Sequence, residues 1–330
     1  MARDVARDLD DIFLGSAAKY TSEQIIRESG VPEDLARSMW RALGFPDSGG
    51  EVAFTDADLD ALRTVHALMD DGLLDDETAV VIARSLGQTT SRLAEWQTDA
   101  LGRFYVHREG LVGRDLAGDP EVLAQVLART EALVGPLQHL LAYAWRRQLT
   151  AVMDRTLAQG EAMAEPAGAG TVGFADLVGF THLSRHLENA DLAALVERFE
   201  SVSADVVTAA GAMLVKTVGD EVLFVAPDAS TGAEAAMRLH EAHAADPDVP
   251  QMRIGLATGP LLRRMGDVFG STVNLASRLT ALAHPDTTVV DAATAAALAD
   301  QPGIRLRQMA PRRLRGIGVM RMFELERAGA

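Results

Sequence analysis

The sequence predicts an α+β protein in which an all-helical first half precedes a half that alternates between strands and helices. In residues 1–165, apolar side chains recur three and four positions apart, which is the helical period. Later apolar runs are shorter and are bounded by glycine, as strands are. A stretch of small residues at 160–170, containing Pro166, is typical of a turn or linker. We therefore expect two domains, residues 1–165 and residues 166–330.

The helices of the first half are predicted from capping signals and apolar periodicity. Thr21 and Thr55 each precede a segment with an acidic residue in its first turn, as N-capping residues do. A kink is expected at Pro136, because proline disrupts the helical hydrogen-bond ladder. The predicted helices are 22–28, 35–43, 55–69, 75–86, 91–106 and 122–157.

The second half follows the order strand, helix, hairpin, helix, strand. Gly219 and Asp220 form a tight-turn pair between two apolar runs, which predicts the hairpin. This order favours an antiparallel sheet with its helices on one face. The predicted strands are 171–176, 212–218, 221–226, 252–258, 288–291 and 320–325, and the longer helices are 181–209, 229–245 and 270–283.

Composition excludes several classes of function. The chain has 31 Lys and Arg against 47 Asp and Glu, a formal net charge of −16, which disfavours binding to nucleic acid. It has no cysteine, so disulfides, zinc–thiolate sites and cysteine nucleophiles are excluded. No signal peptide and no apolar run of about 18 residues is present, so we expect a soluble cytoplasmic protein without a transmembrane segment.

Three motifs of the second half combine into a candidate site. Asp176 ends the first strand, and Gly179, Phe180 and Thr181 then open a helix whose free N–H groups suit phosphate. Asp220 lies at the hairpin tip, four residues after Lys216. Asn274 and Arg278 share one helix face, shortly after Asp267. Each motif alone could be a helix cap, a turn or a solvated face, but their joint occurrence in this order is hard to dismiss.

In these motifs the sequence closely resembles the class III nucleotidyl cyclases over about residues 168–326. The resemblance implies a ferredoxin-like catalytic domain preceded by an all-α regulatory domain. It also implies that Asp176 and Asp220, together with Leu177, bind two Mg²⁺ or Mn²⁺ ions per site. Such hard cations prefer oxygen ligands and bind triphosphate.

The choice of nucleobase follows from hydrogen-bond donors and acceptors. Adenine presents an acceptor at N1 and a donor amine at N6. Lys216 is a donor only and Asp267 an acceptor only, so this pair matches ATP rather than GTP. Lys19 is the other lysine of the chain, and every remaining basic residue is arginine.

The resemblance assigns roles to further residues. Asn274 is similar to the asparagine that orients the ribose, and Arg278 to the arginine that meets the α-phosphate. Arg315 occupies the place of a basic residue on the triphosphate, with Arg312 and Arg313 as competitors. In the family, the aspartates of one subunit face the base-reading and catalytic residues of the other. One chain carries both sets here, which implies a homodimer.

The first half allows two interpretations. Residues 20–59 have the rhythm of a helix-turn-helix DNA-binding regulator, but residues 21–60 hold three basic against nine acidic side chains. The segment more nearly resembles the regulatory domain of soluble bacterial cyclases that are released at mildly acidic pH. His66, His107 and His139 are then candidate pH sensors, with residues 122–157 as the transmitter.

The sequence therefore predicts a homodimeric adenylate cyclase that converts ATP to cyclic AMP and pyrophosphate, regulated by its helical domain. The alternative is a catalytically degenerate, nucleotide-sensing cyclase domain. His182 and His186 could suggest a zinc pair, but no third ligand accompanies them, which favours an ordinary structural role.

Overall fold

The computed structural model describes residues 11–46, 48–108, 120–159, 167–264, 266–314 and 318–328 of the chain. The chain divides into two compact units, Met1–Met153 and Asp154–Ala330. The first half is helical and the second contains a mixed sheet with helices, so the predicted α+β class is confirmed. Across the described residues, no helix is both long and apolar enough to cross a membrane.

The helices of the first half begin where the capping signals place them. Thr21 and Thr55 each accept a hydrogen bond from the backbone N–H three residues on, and the side chains of Gln24 and Asp58 return a bond to the cap. Such reciprocal capping satisfies two N–H groups that a helix end leaves free. The helices are α1 (Ser22–Ser29), α2 (Glu33–Leu43), α3 (Asp56–Asp70), α4 (Asp76–Arg108) and α5 (Pro120–Gln159).

Helix α4 is a single helix of 33 residues, whereas the sequence predicts two helices that meet near Gly87. Glycine usually weakens a helix, but here it is required by packing. A Cβ at Gly87 would lie 2.4 Å from the carbonyl oxygen of Leu43, so α2 and α4 touch at this point. Helix α5 likewise continues past Pro136 as one element.

The second unit is built on a mixed sheet in which β1 lies between β3 and β4. The strands follow the order β2-β3-β1-β4-β6-β10-β7, with β5 paired to β4. The first four of these strands, with the two helices that connect them, form a ferredoxin-like core. The strands are β1 (Ala167–Leu177), β2 (Met213–Val218), β3 (Glu221–Ala226), β4 (Met252–Arg264), β5 (Asp267–Phe269), β6 (Thr288–Asp291), β7 (Ile304–Gln308), β8 (Arg312–Leu314), β9 (Gly318–Met320) and β10 (Met322–Arg327).

Strand β1 begins earlier than the sequence predicts. Residues 167–170, assigned to the linker from their composition, pair with residues 259–262 of β4. Their small size has a packing reason, since a Cβ at Gly170 would lie 3.0 Å from a methyl group of Leu261. Residues 160–166 of the predicted linker lie outside the described residues.

Helices cover both faces of the sheet, so the prediction of helices on one face is wrong. The helices of this half are α6 (Phe180–Leu183), α7 (Asn189–Ala209), α8 (Ala229–Ala244), α9 (Ser271–Leu282) and α10 (Ala292–Ala297). Phe199 of α7 and Leu239 of α8 pack with Leu177 on one face, and Leu279 of α9 packs with Phe174 on the other. Since β4 and β6 are parallel, a crossover must join them, and α9 is part of that crossover.

One buried histidine joins the two helices of the first face. His243 of α8 is 5% exposed, and its Nε2 lies 3.2 Å from the hydroxyl of Ser203 on α7. Burial lowers the pKa of His243 to about 4, against the opposing charge of Asp246. The folded state favours neutral His243, so its contribution to stability is present above about pH 6.5 and is lost as the pH falls towards 4.

Helix α9 lies directly against β4, because glycines remove the side chains between them. A Cβ at Gly255 would lie 2.3 Å from the backbone nitrogen of Thr280, and one at Gly259 would lie 2.8 Å from the hydroxyl of Thr272. The hydroxyl of Thr280 donates to the carbonyl oxygens of Phe174 and Ala276. The position of α9, and of the polar residues that it carries, is therefore set by this contact.

Replacing Gly255 should displace α9. We expect Gly255→Ala to lower the free energy of unfolding by about 1–3 kcal/mol, the usual cost of overpacking, as measured by urea titration. The matched control is Gly102→Ala in α4, where the added Cβ meets open space. That variant should raise stability by up to about 1 kcal/mol. Equal effects of the two substitutions would contradict this account of α9.

Candidate active site

Three charged side chains lie in a row across three neighbouring strands. The Cα of Asp176 on β1 is paired with Glu221 on β3 and with Arg253 on β4. The Nη2 and Nε atoms of Arg253 lie 2.5 and 2.6 Å from Oδ2 of Asp176. Asp220 joins this row from the adjoining hairpin tip, where its carbonyl oxygen accepts the N–H of Leu177 at 3.1 Å.

The carboxylates of this row repel one another. Burial raises the pKa of Asp220 above its ordinary value, and the negative charge of Asp176 adds to the increase. Burial and the charges of Asp176 and Asp220 also raise the pKa of Glu221, while Arg253 opposes both shifts. Three carboxylates against one guanidinium leave an excess of negative charge, which a divalent cation would offset.

The carboxylates of Asp176 and Asp220 could supply some of the ligands of a cation, and a substrate could supply the others. Among the described residues, no group of three or more His, Asp or Glu side chains is arranged to hold a metal ion. The carboxylate oxygens of Asp176 and Asp220 are of the type that fits a hard cation, whose remaining positions would be filled by other oxygen atoms. The side chain of Leu177 is 1% exposed in the core, so its backbone carbonyl is the group it could offer.

Lys216 and Asp267, which are 51 positions apart, meet at the site. The Nζ of Lys216 on β2 lies 2.5 Å from Oδ2 of Asp267 on β5, and the N–H of Val268 donates to the other oxygen. Partial burial acts to raise the pKa of Asp267, but the hydrogen bond and charge of Lys216 lower it below its ordinary value. A fixed donor and a fixed acceptor therefore stand side by side.

This ion pair borders a cleft of about 310 Å³ on the α9 face of the sheet. The acidic row consists of Asp176, Asp220 and Glu221. Glu221 also borders the cleft, so the cleft lies beside this row. The other walls are mainly apolar and are formed by Phe174, Val218, Leu223, Val268, Phe269 and Val273. An apolar cleft with a few converging polar groups is the usual form of a small-molecule site.

Asn274 and Arg278 lie one turn apart on α9. Asn274 is exposed, and Arg278 is half-buried with an Nη1 atom that has no hydrogen-bond partner among the described residues. A buried guanidinium nitrogen without an acceptor is costly, which suggests that its partner is supplied from outside the chain's own fold. Within the described residues, neither side chain forms a hydrogen bond to the acidic row or to the Lys216–Asp267 pair.

The remaining predicted phosphate-binding residues are only partly placed. Gly179 adopts a left-handed conformation with φ of 77° and opens α6, a helix of four residues. The predicted helix 181–209 is therefore two helices, α6 and α7. Phe180 packs against the core and Thr181 is exposed. Arg315 lies outside the described residues, while Arg312 and Arg313 are exposed on β8.

Comparison with known proteins identifies the family. Residues 163–327 match the adenylate and guanylate cyclase catalytic domain. An adenylate cyclase of Streptomyces coelicolor is 47% identical over 293 residues, which cover 88% of this chain and 74% of that protein. The chain belongs to the class III cyclases.

Two further relatives extend the likeness to the helical half. An adenylate cyclase of Glutamicibacter nicotianae is 37% identical over 98% of this chain and 82% of its own length. A pH-sensitive adenylate cyclase of Mycobacterium tuberculosis is 33% identical over 96% of this chain and 80% of its own length. These matches confirm the prediction that the chain is a class III adenylate cyclase.

Two polar residues of the cyclase site, Arg253 and Glu221, escaped the sequence analysis. Both are visible as charged residues within the first two positions of predicted strands. Their importance depends on the register that pairs them with Asp176, which a single sequence does not reveal.

The histidines of the cyclase occupy varied environments. His182 and His186 are exposed and stacked, with ring centroids 4.4 Å apart. His66 is half-buried with its Nε2 3.6 Å from Asp70, and its ring lies against Gly30 at the end of α1. His107 and His139 are exposed on α4 and α5.

Removing one carboxylate from the acidic row should relieve repulsion. We expect Asp220→Asn to raise the free energy of unfolding of the metal-free cyclase by about 0.2–1 kcal/mol, the range for like charges on paired strands. Urea unfolding in the presence of a chelator measures this change. Asp205→Asn, which alters an exposed carboxylate of α7, is the control and should change stability little. A destabilised Asp220→Asn would argue against repulsion.

Proposed function

We propose that this cyclase converts ATP to 3′,5′-cyclic AMP and pyrophosphate. The observation that carries the proposal is the Lys216–Asp267 pair at the cleft. When adenine enters, the ammonium would donate to N1 and the carboxylate would accept from the N6 amine. The names of the relatives in Streptomyces coelicolor and Glutamicibacter nicotianae support the same substrate.

In this proposal the acidic row holds the metal ions. Asp176 and Asp220 would bind two Mg²⁺ or Mn²⁺ ions, whose chemistry is to acidify the ribose 3′-hydroxyl and to offset charge on pyrophosphate. The 3′-oxygen would attack the α-phosphorus, the bond from that phosphorus to the oxygen bridging to the β-phosphate would break, pyrophosphate would leave, and the hydroxyl proton would pass to water. Burial, and after it the neighbouring carboxylates, raises the pKa values of Asp220 and Glu221, and the excess of three carboxylates over the guanidinium of Arg253 supports a cation here.

Arg278 is proposed to stabilise negative charge on the α-phosphate during the attack. Its unpartnered Nη1 supports this role, because a phosphate oxygen would satisfy it. Asn274, one turn earlier on the same helix, would orient the ribose. The turn formed by Gly179, Phe180 and Thr181 would bind the triphosphate through backbone N–H groups, with Arg315 as a further contact.

The working enzyme is proposed to be a homodimer with a site at each end of its interface. Among the described residues, Arg278 and Asn274 form no hydrogen bond with the acidic row of their own chain, which supports a site completed by a second copy. Apolar side chains beside the cleft support a second copy: Val218 is 61% and Phe269 47% exposed. Covering such side chains would favour association.

Purified protein supplied with Mn²⁺ and ATP should form cyclic AMP, measured by chromatography. Arg278→Ala should lower kcat by about 10²–10³-fold, as loss of a charge-stabilising donor does. Asp220→Ala should also abolish activity without unfolding the chain. Absence of cyclic AMP with the wild-type protein would overturn the proposal and favour the alternative of a nucleotide-sensing domain without catalysis.

The dimer is tested by mixing two inactive variants. A heterodimer of Asp220→Ala and Arg278→Ala chains has one site with both defects and one intact site. Random pairing should therefore restore about a quarter of wild-type activity. No rescue on mixing would place the whole site within one chain.

The helical half is proposed to regulate the cyclase in response to pH. The support is the likeness along nearly the whole chain to a relative named as pH-sensitive. Of the three candidate sensors, His66 has an acidic neighbour in the described structure, and its ring lies at the C-terminal end of α1. In this proposal the helical half shifts the catalytic half between two populations of states.

Activity of the full chain should rise as the pH falls from about 8 to 5.5, the range in which histidine gains charge. The fragment 166–330 should show a much smaller rise. Protonation of His243 destabilises the folded catalytic unit, so acid could also change activity through this residue. The control for that effect is His243→Gln in the full chain, which should leave the rise of activity with falling pH intact. Flat profiles in both proteins would exclude regulation by pH.

A further inference from the structure

We propose that His182 and His186 form a surface site for a late first-row divalent metal ion, such as Zn²⁺ or Cu²⁺. Two imidazole nitrogens would bind the ion, and water molecules would fill its other positions. The site is chemically distinct from the acidic row, whose carboxylates suit harder ions. Neither histidine has a part in the proposed cyclase chemistry, so the site is independent of the nucleotide that the enzyme uses.

The two imidazole rings already lie face to face. Their centroids are 4.4 Å apart, their planes differ by 27°, and both side chains are exposed. Histidines four positions apart on a helical turn share one face, which is the spacing that helical zinc sites use. Because Zn–N bonds are about 2.0–2.1 Å long, two nitrogens on one tetrahedral ion lie roughly 3.3 Å apart. The separation of the rings is close to this value, so rotation of the side chains would bring both nitrogens to one ion.

A hydrogen bond within the pair determines which nitrogen of His186 is free to bind. Nδ1 of His186 lies 2.8 Å from the carbonyl oxygen of His182. A carbonyl oxygen only accepts, so Nδ1 carries the proton and Nε2 keeps its lone pair in the neutral ring. Histidine ligands of metals commonly donate their second ring nitrogen to a backbone carbonyl in this way. His186 therefore has the tautomer that binding through Nε2 requires.

The segment that carries both histidines is held by its opposite face. Phe180, Leu183 and Leu187 pack against the hydrophobic core. The N–H of Leu187 donates to the carbonyl oxygen of Leu183 at 3.1 Å, so a helical turn continues beyond the end of α6. Two ligands on an ordered backbone lose less conformational freedom on binding than two on a loose loop. The packing therefore favours a chelate on the exposed face.

The type of ligand decides which ions the site would take. Imidazole suits zinc, copper and nickel, whereas carboxylates and water suit magnesium. Because the described residues hold no group of three or more His, Asp or Glu side chains arranged around an ion, this is a two-ligand surface site and not a closed structural one. Affinity should follow the usual order for such ligands, with Cu²⁺ bound more tightly than Ni²⁺ or Zn²⁺.

Titration calorimetry of the full chain with Zn²⁺ tests the site. The titration is made in excess Mg²⁺ to occupy the carboxylates, without nucleotide, and at about pH 7.5, where imidazole is mostly neutral. His182→Gln and His186→Gln should each weaken Zn²⁺ binding by about 10²-fold or more, because each leaves one ligand in place of a chelate. Electron paramagnetic resonance of the Cu²⁺ complex should show two nitrogen ligands in the wild-type chain.

His284→Gln is the matched control. His284 is an exposed histidine of the same unit, and no other histidine lies three or four positions from it in the sequence. This substitution should leave the Kd for Zn²⁺ unchanged. Circular dichroism should show that all three variants keep the fold, since the residues are on the surface. Zn²⁺ binding that survives both His182→Gln and His186→Gln, a Cu²⁺ spectrum with oxygen ligands alone, or no binding by the wild-type chain would each overturn the site.

Discussion

The register of β1 between β3 and β4 is the constraint on which the rest of the catalytic unit depends. It sets Asp176 between a like charge, Glu221, and an opposite charge, Arg253, at neighbouring positions. A slip of one residue in either pairing would turn these side chains to the opposite face of the sheet. The apolar residues on both faces of β1 resist such a slip, because it would bury the carboxylate of Asp176 in the apolar core under α7 and α8.

A second constraint is the close contact between α9 and β4. Two glycines bring the helix onto the strand, so the polar residues of α9 and Arg253 of β4 share one rigid face. Lys216 reaches the same face from β2, in register with Leu223 of β3. The candidate site is thus assembled from neighbouring strands, the β2–β3 turn and one helix.

Local sequence signals were enough to predict much of this structure. The features that depend on pairing between distant parts of the chain could not be predicted from them. Asp176, Asp220 and Lys216 could be located because each belongs to a motif whose spacing is visible within a few residues. The face on which α9 lies, and the identity of Arg253 as the partner of Asp176, depend on contacts between distant parts of the chain. The predicted helices 75–86 and 91–106 are one helix in the structure, because Gly87 between them marks a close helix contact, and a glycine at a helix contact and one at a helix end look alike in sequence.

In the proposed role of Lys216 and Asp267 as readers of the base, their ion pair has a consequence for how nucleotide preference could change over evolutionary time. The two opposite charges neutralise each other within the pair. A single substitution at either position would leave its former partner uncompensated, in both the free and the bound enzyme. A path from adenine to guanine would therefore pass through a disfavoured intermediate unless both codons changed together. Because of the ion pair, a substitution at either position is tolerated only together with one at the other. This dependence tends to keep the nucleotide preference of a lineage unchanged.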